Sequence, residues 1–432
     1  MSDLTNVFTD IADAIRAKTQ TQITYKPTEM ANAVNNIQTG GGAIEITTGR
    51  LTSSFNFPVT IPDGVTNMGY CFSTCTSFNQ PVNIPDGVIS MYNCFWGCNS
   101  FNYPVNIPNS VTTLFACFVN CQNFNQPITI PNSVTNMYNC FFNCYNFNQP
   151  VTIPDSVTNM LYCFSGCFNL NQPITISNNA TILSGCFRSC FNFNQPITIP
   201  NRVTSLQQCF ENCFSLNQPI VTPDSVTSLL NCFTNCFSLN QPIVISNRAT
   251  TIAQCFSGCS NFNQPITIPN NVTNMYTCFR GCSNLNQPIT IPDNVTSMYS
   301  CFENCFSLNQ PIVISNRATN LAGCFYNCSN FNQPIKVFKN VTNLMSCFAN
   351  CSSFASTIRI ACNPSLVVVN MLQNTDPTKL KTIITNNAIK FLNTTTQSIV
   401  GAPITWAQDG FNYYNTEYNI HINILSDPIN QQ

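Results

Sequence analysis

The chain has 432 residues, a net charge of −1 and only 7% charged side chains, where ordinary globular domains carry roughly 25%. That composition excludes a basic footprint for nucleic acid or anionic lipid, and the polar surface must rest on Asn, Thr, Ser and Gln. No run of about 18 apolar residues interrupts the sequence, so no membrane insertion is expected.

Residues 1–39 read as a helical attachment segment. Leu4, Phe8, Ile11 and Ile15 fall on one helical face, with Ser2 and Asp3 suited to capping its start. A second short helix follows Pro27, carrying Met30, Val34 and Ile37. The segment has no basic region followed by an apolar one, so no secretory signal is expected. Residues 40–57 are a Gly linker, Gly40-Gly41-Gly42, and an entry strand.

From about 58 to 351 the chain is periodic. Thirteen Cys-Phe-x-x-Cys units recur every 23 residues without insertion or deletion, from Cys71–Cys75 to Cys347–Cys351. A fixed period of this length is the signature of a solenoid. In residues 127–149, Ile128-Thr129-Ile130 alternates as a half-buried strand, Pro131-Asn132-Ser133 turns, and Val134-Thr135-Asn136 is extended again. Met137, Cys140, Phe141 and Cys144 stand at i, i+3, i+4 and i+7, which predicts a two-turn helix with these four on one face. Phe147 points inward. The expected fold is an α/β solenoid: a leucine-rich-repeat-like stack of about 13 coils, each a short parallel strand plus a short helix. The turn sequence Ser-Asn-x-Ala at 177, 246 and 315 adds a longer period of three coils. Residues 352–432 lose the pattern and read as a C-terminal cap, which the exposed end of a solenoid requires, or as a binding tip bearing Trp406, Phe411, Tyr413, Tyr414 and Tyr418.

Cys94, Phe95, Cys98, Cys140, Phe141 and Cys144 typify the core. Thiols that alternate with Phe and Met on an apolar face pack as small hydrophobes, and stacked side chains one coil apart are too distant for disulfide geometry. No metal or cofactor is expected. Catalysis is not expected either: the chain has one His, His421, and Cys-x₃-Cys is not the redox Cys-x-x-Cys spacing. Polar columns are read as structural ladders, with Thr129, Thr152, Thr175 and Thr198 outward and Asn148, Asn171 and Asn194 forming a ladder of side-chain amides.

Aromatic ranks are the candidate binding residues. Tyr145, Phe168, Phe191, Phe214 and Phe237 follow the second Cys in five successive coils and should stack into a stripe. It either stiffens the core edge or forms an apolar contact surface. Tyr92, Trp96, Tyr138 and Phe142 decorate the outer face of the expected helices, where rings among amides and hydroxyls suit sugar binding.

Ile130-Pro131-Asn132-Ser133-Val134-Thr135, Phe141-Phe142-Asn143-Cys144 and Phe147 resemble the BspA-like leucine-rich repeats of bacterial surface proteins. The Val-Thr-Asn-Met and Phe-Asn-Gln-Pro segments are similar to the related repeat of mycoplasma-type surface lipoproteins. Cys140 and its equivalents depart from the usual Ala or Met before the Phe. Separately, Ile11-Ala12-Asp13-Ala14-Ile15-Arg16-Ala17-Lys18-Thr19, then Pro27-Thr28-Glu29-Met30-Ala31 and Ile37, resemble the N-terminal segment of phage and prophage tail fibre or tail-tip proteins. Together the resemblances imply a non-enzymatic tail protein that recognises a host cell surface. Its N-terminus would join tail or baseplate proteins, its solenoid would contact a host surface glycan or protein, and it would reside in the virion after lysis. The Leu4/Phe8/Ile11/Ile15 face is compatible with a homotrimer. The alternatives are a BspA-like adhesin on the bacterial cell surface and a purely structural spacer.

Overall fold

The computed structural model describes residues 53–385 apart from 57, 362 and 364, together with 398–400, 407–409 and 412–424. The expectations for Leu4, Phe8, Ile11 and Ile15, for the Gly linker, and for Trp406 and Phe411 lie outside these residues. The chain divides into two compact units, up to Ser177 and from Asn178. The first holds five Cys pairs and the second eight.

Both units are β-solenoids. Successive coils pair in parallel through two-residue strands: β1 (Val59–Thr60) with β2 (Val82–Asn83) and β3 (Val151–Thr152) with β4 (Ile174–Thr175) in the first unit, and β5 (Ile220–Val221) with β6 (Ile243–Val244) and β7 (Ile289–Thr290) with β8 (Ile312–Val313) in the second. Alternation sends Val151 and Ile174 inward and Thr152 and Thr175 outward, as a strand covered on one side requires. A second parallel ladder of single bridges runs through Ser90, Thr113, Asn136 and Asn159 in the first unit and from Ile182 to Val367 in the second. It is the second extended piece of each coil.

The expected helices are absent: among the described residues there is none. The residues that suggested them do face inward, with Met137, Cys140, Phe141, Cys144 and Phe147 fully buried. Their backbone is instead a chain of tight turns. Cys140, Phe142, Cys144 and Phe147 donate their N–H groups three residues back, to Met137, Asn139, Phe141 and Cys144. The intervening Met137, Asn139, Phe141 and Asn143 donate to the next coil, to Asn159, Leu161, Cys163 and Ser165, at 2.7–3.0 Å. An α-helix would send all of these donors four residues back within one segment. Two residues per coil hold the backbone out of that path. Asn139 and Asn143, immediately before the two Cys, have φ of 54° and 58°, in the left-handed region that costs most L-residues ~1–2 kcal/mol and that Asn and Gly tolerate best. A left-handed residue every fourth position forbids a helix and turns alternate N–H groups toward the neighbouring coil.

The core is a stack of rings. Phe95, Phe118, Phe141 and Phe164 follow one another at centroid distances of 5.3–5.5 Å and 2–5° from parallel. In the second unit, Phe256, Phe279, Phe302, Phe325 and Phe348 repeat the arrangement at 5.4–5.6 Å. The Asn ladder forms with a different partner from the one expected. The Asn148 side-chain carbonyl accepts the Asn171 backbone N–H at 2.9 Å, and that of Asn194 accepts the Asn217 backbone N–H at 2.8 Å together with the Gln218 side-chain amide at 3.2 Å.

Coil geometry continues beyond Cys351. Met371, Leu372 and Thr375 take the places of Cys, Phe and Cys after a one-residue insertion, again with positive φ at Asn370 and Asn374. This makes about fourteen coils. The last strands widen into a six-stranded sheet. Within it, β9 (Ile335–Val337), β10 (Thr357–Ile360), β11 (Lys381–Thr385) and β14 (Ile420–Ile424) run parallel. Antiparallel β13 (Asn412–Asn415) and β12 (Ala407–Asp409) then close the edge.

Candidate functional site

The turn face of the coils carries the aromatic ranks, on tight turns where helices were expected. Its inner side is sealed by the thiols. Cys98, Cys121, Cys144 and Cys167 each donate Sγ–H to the main-chain carbonyl of a Phe in the preceding coil, at 2.9–3.2 Å. Burial pushes Cys71 and Cys75 up to about 12 and Cys94 and Cys140 well above the ordinary thiol value. A thiol held so far from ionisation is neither a nucleophile nor a ready metal ligand. Among the described residues, no group of His, Cys, Asp and Glu is arranged to hold a metal ion. His421 sits on β14 beside Tyr414, with ring centroids 6.3 Å apart.

Two kinds of aromatic rank coexist. In the position after the second Cys, Tyr145 and Phe168 stack at 4.4 Å and 4° in the first unit, and Phe191, Phe214 and Phe237 at 4.6 and 4.9 Å in the second. Each ring covers its neighbour's face, so the rank offers solvent mostly ring edges. Before the first Cys the rings of the first unit are not parallel, whereas Tyr276 and Tyr299 at the same position in the second unit stack at 5.2 Å and 8°. Tyr70 meets Tyr92 edge-on at 5.0 Å and 83°, Tyr92 meets Phe115 at 4.9 Å and 39°, and Phe115 meets Tyr138 at 4.8 Å and 48°. The Tyr70 hydroxyl donates to the Tyr92 hydroxyl at 2.9 Å. The neighbouring Tyr70 phenol, with partial burial, raises the Tyr92 phenol above its ordinary value. Trp96 and Phe142, two residues after the first Cys, are half-buried, and no other ring among the described residues lies against the Trp96 indole.

Tyr92, Phe115 and Tyr138 therefore form one surface, and Tyr70 and Phe115 belong to it although the sequence reading did not single them out. The period itself held the signal, because 92, 115 and 138 are separated by 23 residues. Tyr70, one place later in its coil, is 41% exposed and has φ of 60°, a conformation unusual for a bulky side chain.

Charge separates this surface from the rest of the chain. No Lys or Arg lies between 51 and 187, and the only acids there are Asp63, Asp86 and Asp155. In the second unit, the turn position held by Trp96 and Phe142 in the first carries inter-coil ion pairs instead, Arg188–Glu211 at 3.0 Å and Arg280–Glu303 at 3.2 Å. Among the described residues, no helix is long and apolar enough to cross a membrane.

A family profile described as "Mycoplasma protein of unknown function, DUF285" matches residues 53–130, 112–222, 181–269 and 250–361, overlapping windows that take in all thirteen Cys pairs. The chain belongs to this family. As a DUF285 protein it is also similar to three solved bacterial structures. A leucine rich cell surface protein from Faecalibacterium prausnitzii A2-165 shares 28% identity over 59% of this chain and 77% of its own, with a TM-score of 0.39. A leucine-rich repeat protein from Bacteroides ovatus ATCC 8483 shares 18% identity over 76% and 86%, with a TM-score of 0.49. A leucine-rich repeat protein from Eubacterium ventriosum ATCC 27560 shares 15% identity over 81% and 84%, with a TM-score of 0.33. No curated protein matches the chain. The DUF285 match begins at residue 53, so neither it nor the described structure reaches the N-terminal segment that resembles tail fibre proteins.

Proposed function

We propose that this DUF285 chain is a non-enzymatic recognition protein, which holds a cell surface through the turn face of its solenoid and works as an adhesin. The observation that carries this reading is the rank of mutually tilted rings at Tyr70, Tyr92, Phe115 and Tyr138 on a hydrogen-bonded scaffold, with Tyr70 exposed and the other three half-buried at the surface. A purely structural spacer has no use for aromatic side chains held at the surface, whereas exposed aromatic clusters are the common anchors of binding faces. The repeat's resemblance to BspA-like surface proteins supports the same reading.

A second reading keeps the recognition and changes the carrier. The motif Ile11–Thr19 with Pro27–Ala31 favours a phage tail fibre whose residues 1–39 attach to tail or baseplate proteins, with the protein located in the virion. Antibody labelling of particles from an induced lysate distinguishes the two, since the tail reading requires label on tails and the adhesin reading requires label on cells. The recognition itself is tested by incubating fluorescent full-length protein with a panel of bacterial and animal cells. Saturable binding to at least one cell type is expected. Its absence throughout the panel overturns recognition in favour of a spacer.

A further inference from the structure

Resting on the recognition reading above, we infer that the tilted aromatic surface of the first four coils binds an uncharged glycan, and that the parallel ring ranks elsewhere do not. Three observations converge. The first is ring geometry. A sugar docks its C–H face on an aromatic face at the surface, and rings at 39°, 48° and 83° to one another cover only part of each other's faces. Tyr145–Phe168 and Phe191–Phe214, within 4° of parallel at 4.4 and 4.6 Å, cover each other's faces.

The second is polarity at the right place. Tyr70 donates its hydroxyl proton to Tyr92, which leaves the Tyr92 O–H as a donor and the remaining phenol lone pairs as acceptors for sugar hydroxyls. The Tyr138 phenol adds a further group of the same kind, and Trp96, four residues after Tyr92 in the same turn segment, brings a half-buried indole with an N–H donor.

The third is charge. A stretch of 137 residues without a single Lys or Arg offers no counter-charge to an acidic polysaccharide, a phosphate-bearing wall polymer or an anionic membrane. The ligand that fits is a neutral hexose or N-acetylhexosamine polymer. Ring centroids 4.8–5.0 Å apart in successive coils let a linear chain run along the rank and engage several coils at once, so that affinity grows with chain length.

The experiment is a retardation assay of full-length protein in gels containing a neutral glucan, mannan or chitin-derived polymer, or heparin as the acidic control. Expected are retardation by at least one neutral polymer, little change between low and about 0.5 M salt, and a loss of about tenfold or more in Tyr92→Ala and Trp96→Ala. Phe214→Ala should bind as the parent does. Circular dichroism melting of each variant separates lost contact from lost fold. Retardation by heparin alone, abolished by salt, overturns the inference, as does neutral binding that both Tyr92→Ala and Trp96→Ala retain. Cell binding that neutral polymers fail to compete overturns the glycan assignment while leaving recognition intact. Failure of cell binding altogether removes the recognition reading itself.

Discussion

The Cys144 sulfhydryl donates to the main-chain carbonyl of Phe118, one coil earlier, at 3.0 Å, whereas Cys140, four residues before it and equally buried, has no such bond. In this repeat the two thiols thus do different work although the sequence writes them alike. One is a small apolar filler that also satisfies a carbonyl, and the other is filler alone. Substitution by Ser tells them apart. In Cys144→Ser the hydroxyl inherits the Phe118 acceptor and part of the burial cost is recovered. In Cys140→Ser a hydroxyl is buried without a partner, at ~1–3 kcal/mol. Urea midpoints should fall for both variants, and further for Cys140→Ser. Equal losses would mean that the sulfur–carbonyl contact contributes nothing.

The thiols also set the alkaline limit of the fold. Burial raises Cys71, Cys75, Cys301 and Cys351 from an ordinary 9.0 to about 12. Above pH 9 the unfolded chain releases these protons and the folded chain keeps them. Stability is therefore complete below pH 9 and declines as pH rises toward 12, by ~1.4 kcal/mol per pH unit for each such thiol. Lys381 acts in the opposite direction, because burial lowers it from 10.5 to about 8 and stability gains as pH climbs between those values. One lysine cannot offset a ladder of thiols. Melting temperature measured from pH 7 to 11 should hold to about 9 and then drop steeply. A flat profile would place the thiolates in contact with water.

Left-handed backbone at the turn positions makes a third prediction. Asn143 takes φ of 58° and donates its side-chain amide to Asn120 at 3.0 Å, so Asn143→Ala loses both the conformational tolerance and the ladder bond, at ~1–3 kcal/mol. Asn139 is the reverse case. Its Oδ1 is buried without a partner, and Asn139→Gly keeps φ of 54° freely accessible while removing the orphaned oxygen. Asn139→Gly should raise the denaturation midpoint and Asn143→Ala lower it. The opposite order would mean that the turns are not held in this conformation.

These turns also explain what was legible in the sequence. The 23-residue period, the inward Met137, Cys140, Phe141, Cys144 and Phe147, the outward Thr152 and the second extended piece at Asn136 all follow from spacing and polarity. Period-3.6 spacing, however, reports only which side chains share a face, and a run of tight turns produces the same i, i+3, i+4, i+7 pattern as a helix. The distinguishing sign lay one residue before the second Cys. There the thirteen coils carry seven Asn and four Gly, the residue types that accept positive φ, so that position argues against a helix in nearly every repeat. The candidate surface was half visible. Tyr92 and Tyr138 stand out as aromatic residues, but no spacing argument reveals that their rank is tilted while the Phe214 rank is parallel, because tilt depends on how each ring packs on its neighbour.

The end of the solenoid supplies the last prediction. Lys381 opens β11, is almost wholly buried, and directs its ammonium to the main-chain carbonyls of Asp376, Lys379 and Tyr418, the latter two at 2.8 and 3.0 Å. It ties the turn before β11 to the turn before β14, and so joins the final coil to the strands that cover the sheet edge. An ammonium has three protons and here meets three acceptors, which is how a buried lysine remains tolerable. Lys381→Met preserves the stem and removes the head, taking the ammonium donor from the Lys379 and Tyr418 carbonyls at ~1–3 kcal/mol each, while Asp376 keeps the Lys379 N–H at 3.3 Å. Because coils couple mainly to their neighbours, the loss should be local. Limited proteolysis of Lys381→Met should cut first between 376 and 424 while the ring-stacked core stays intact, and the Tyr418 backbone should gain hydrogen exchange. Uniform loss of protection along the chain would instead make Lys381 a determinant of global stability rather than the clasp of its last coil.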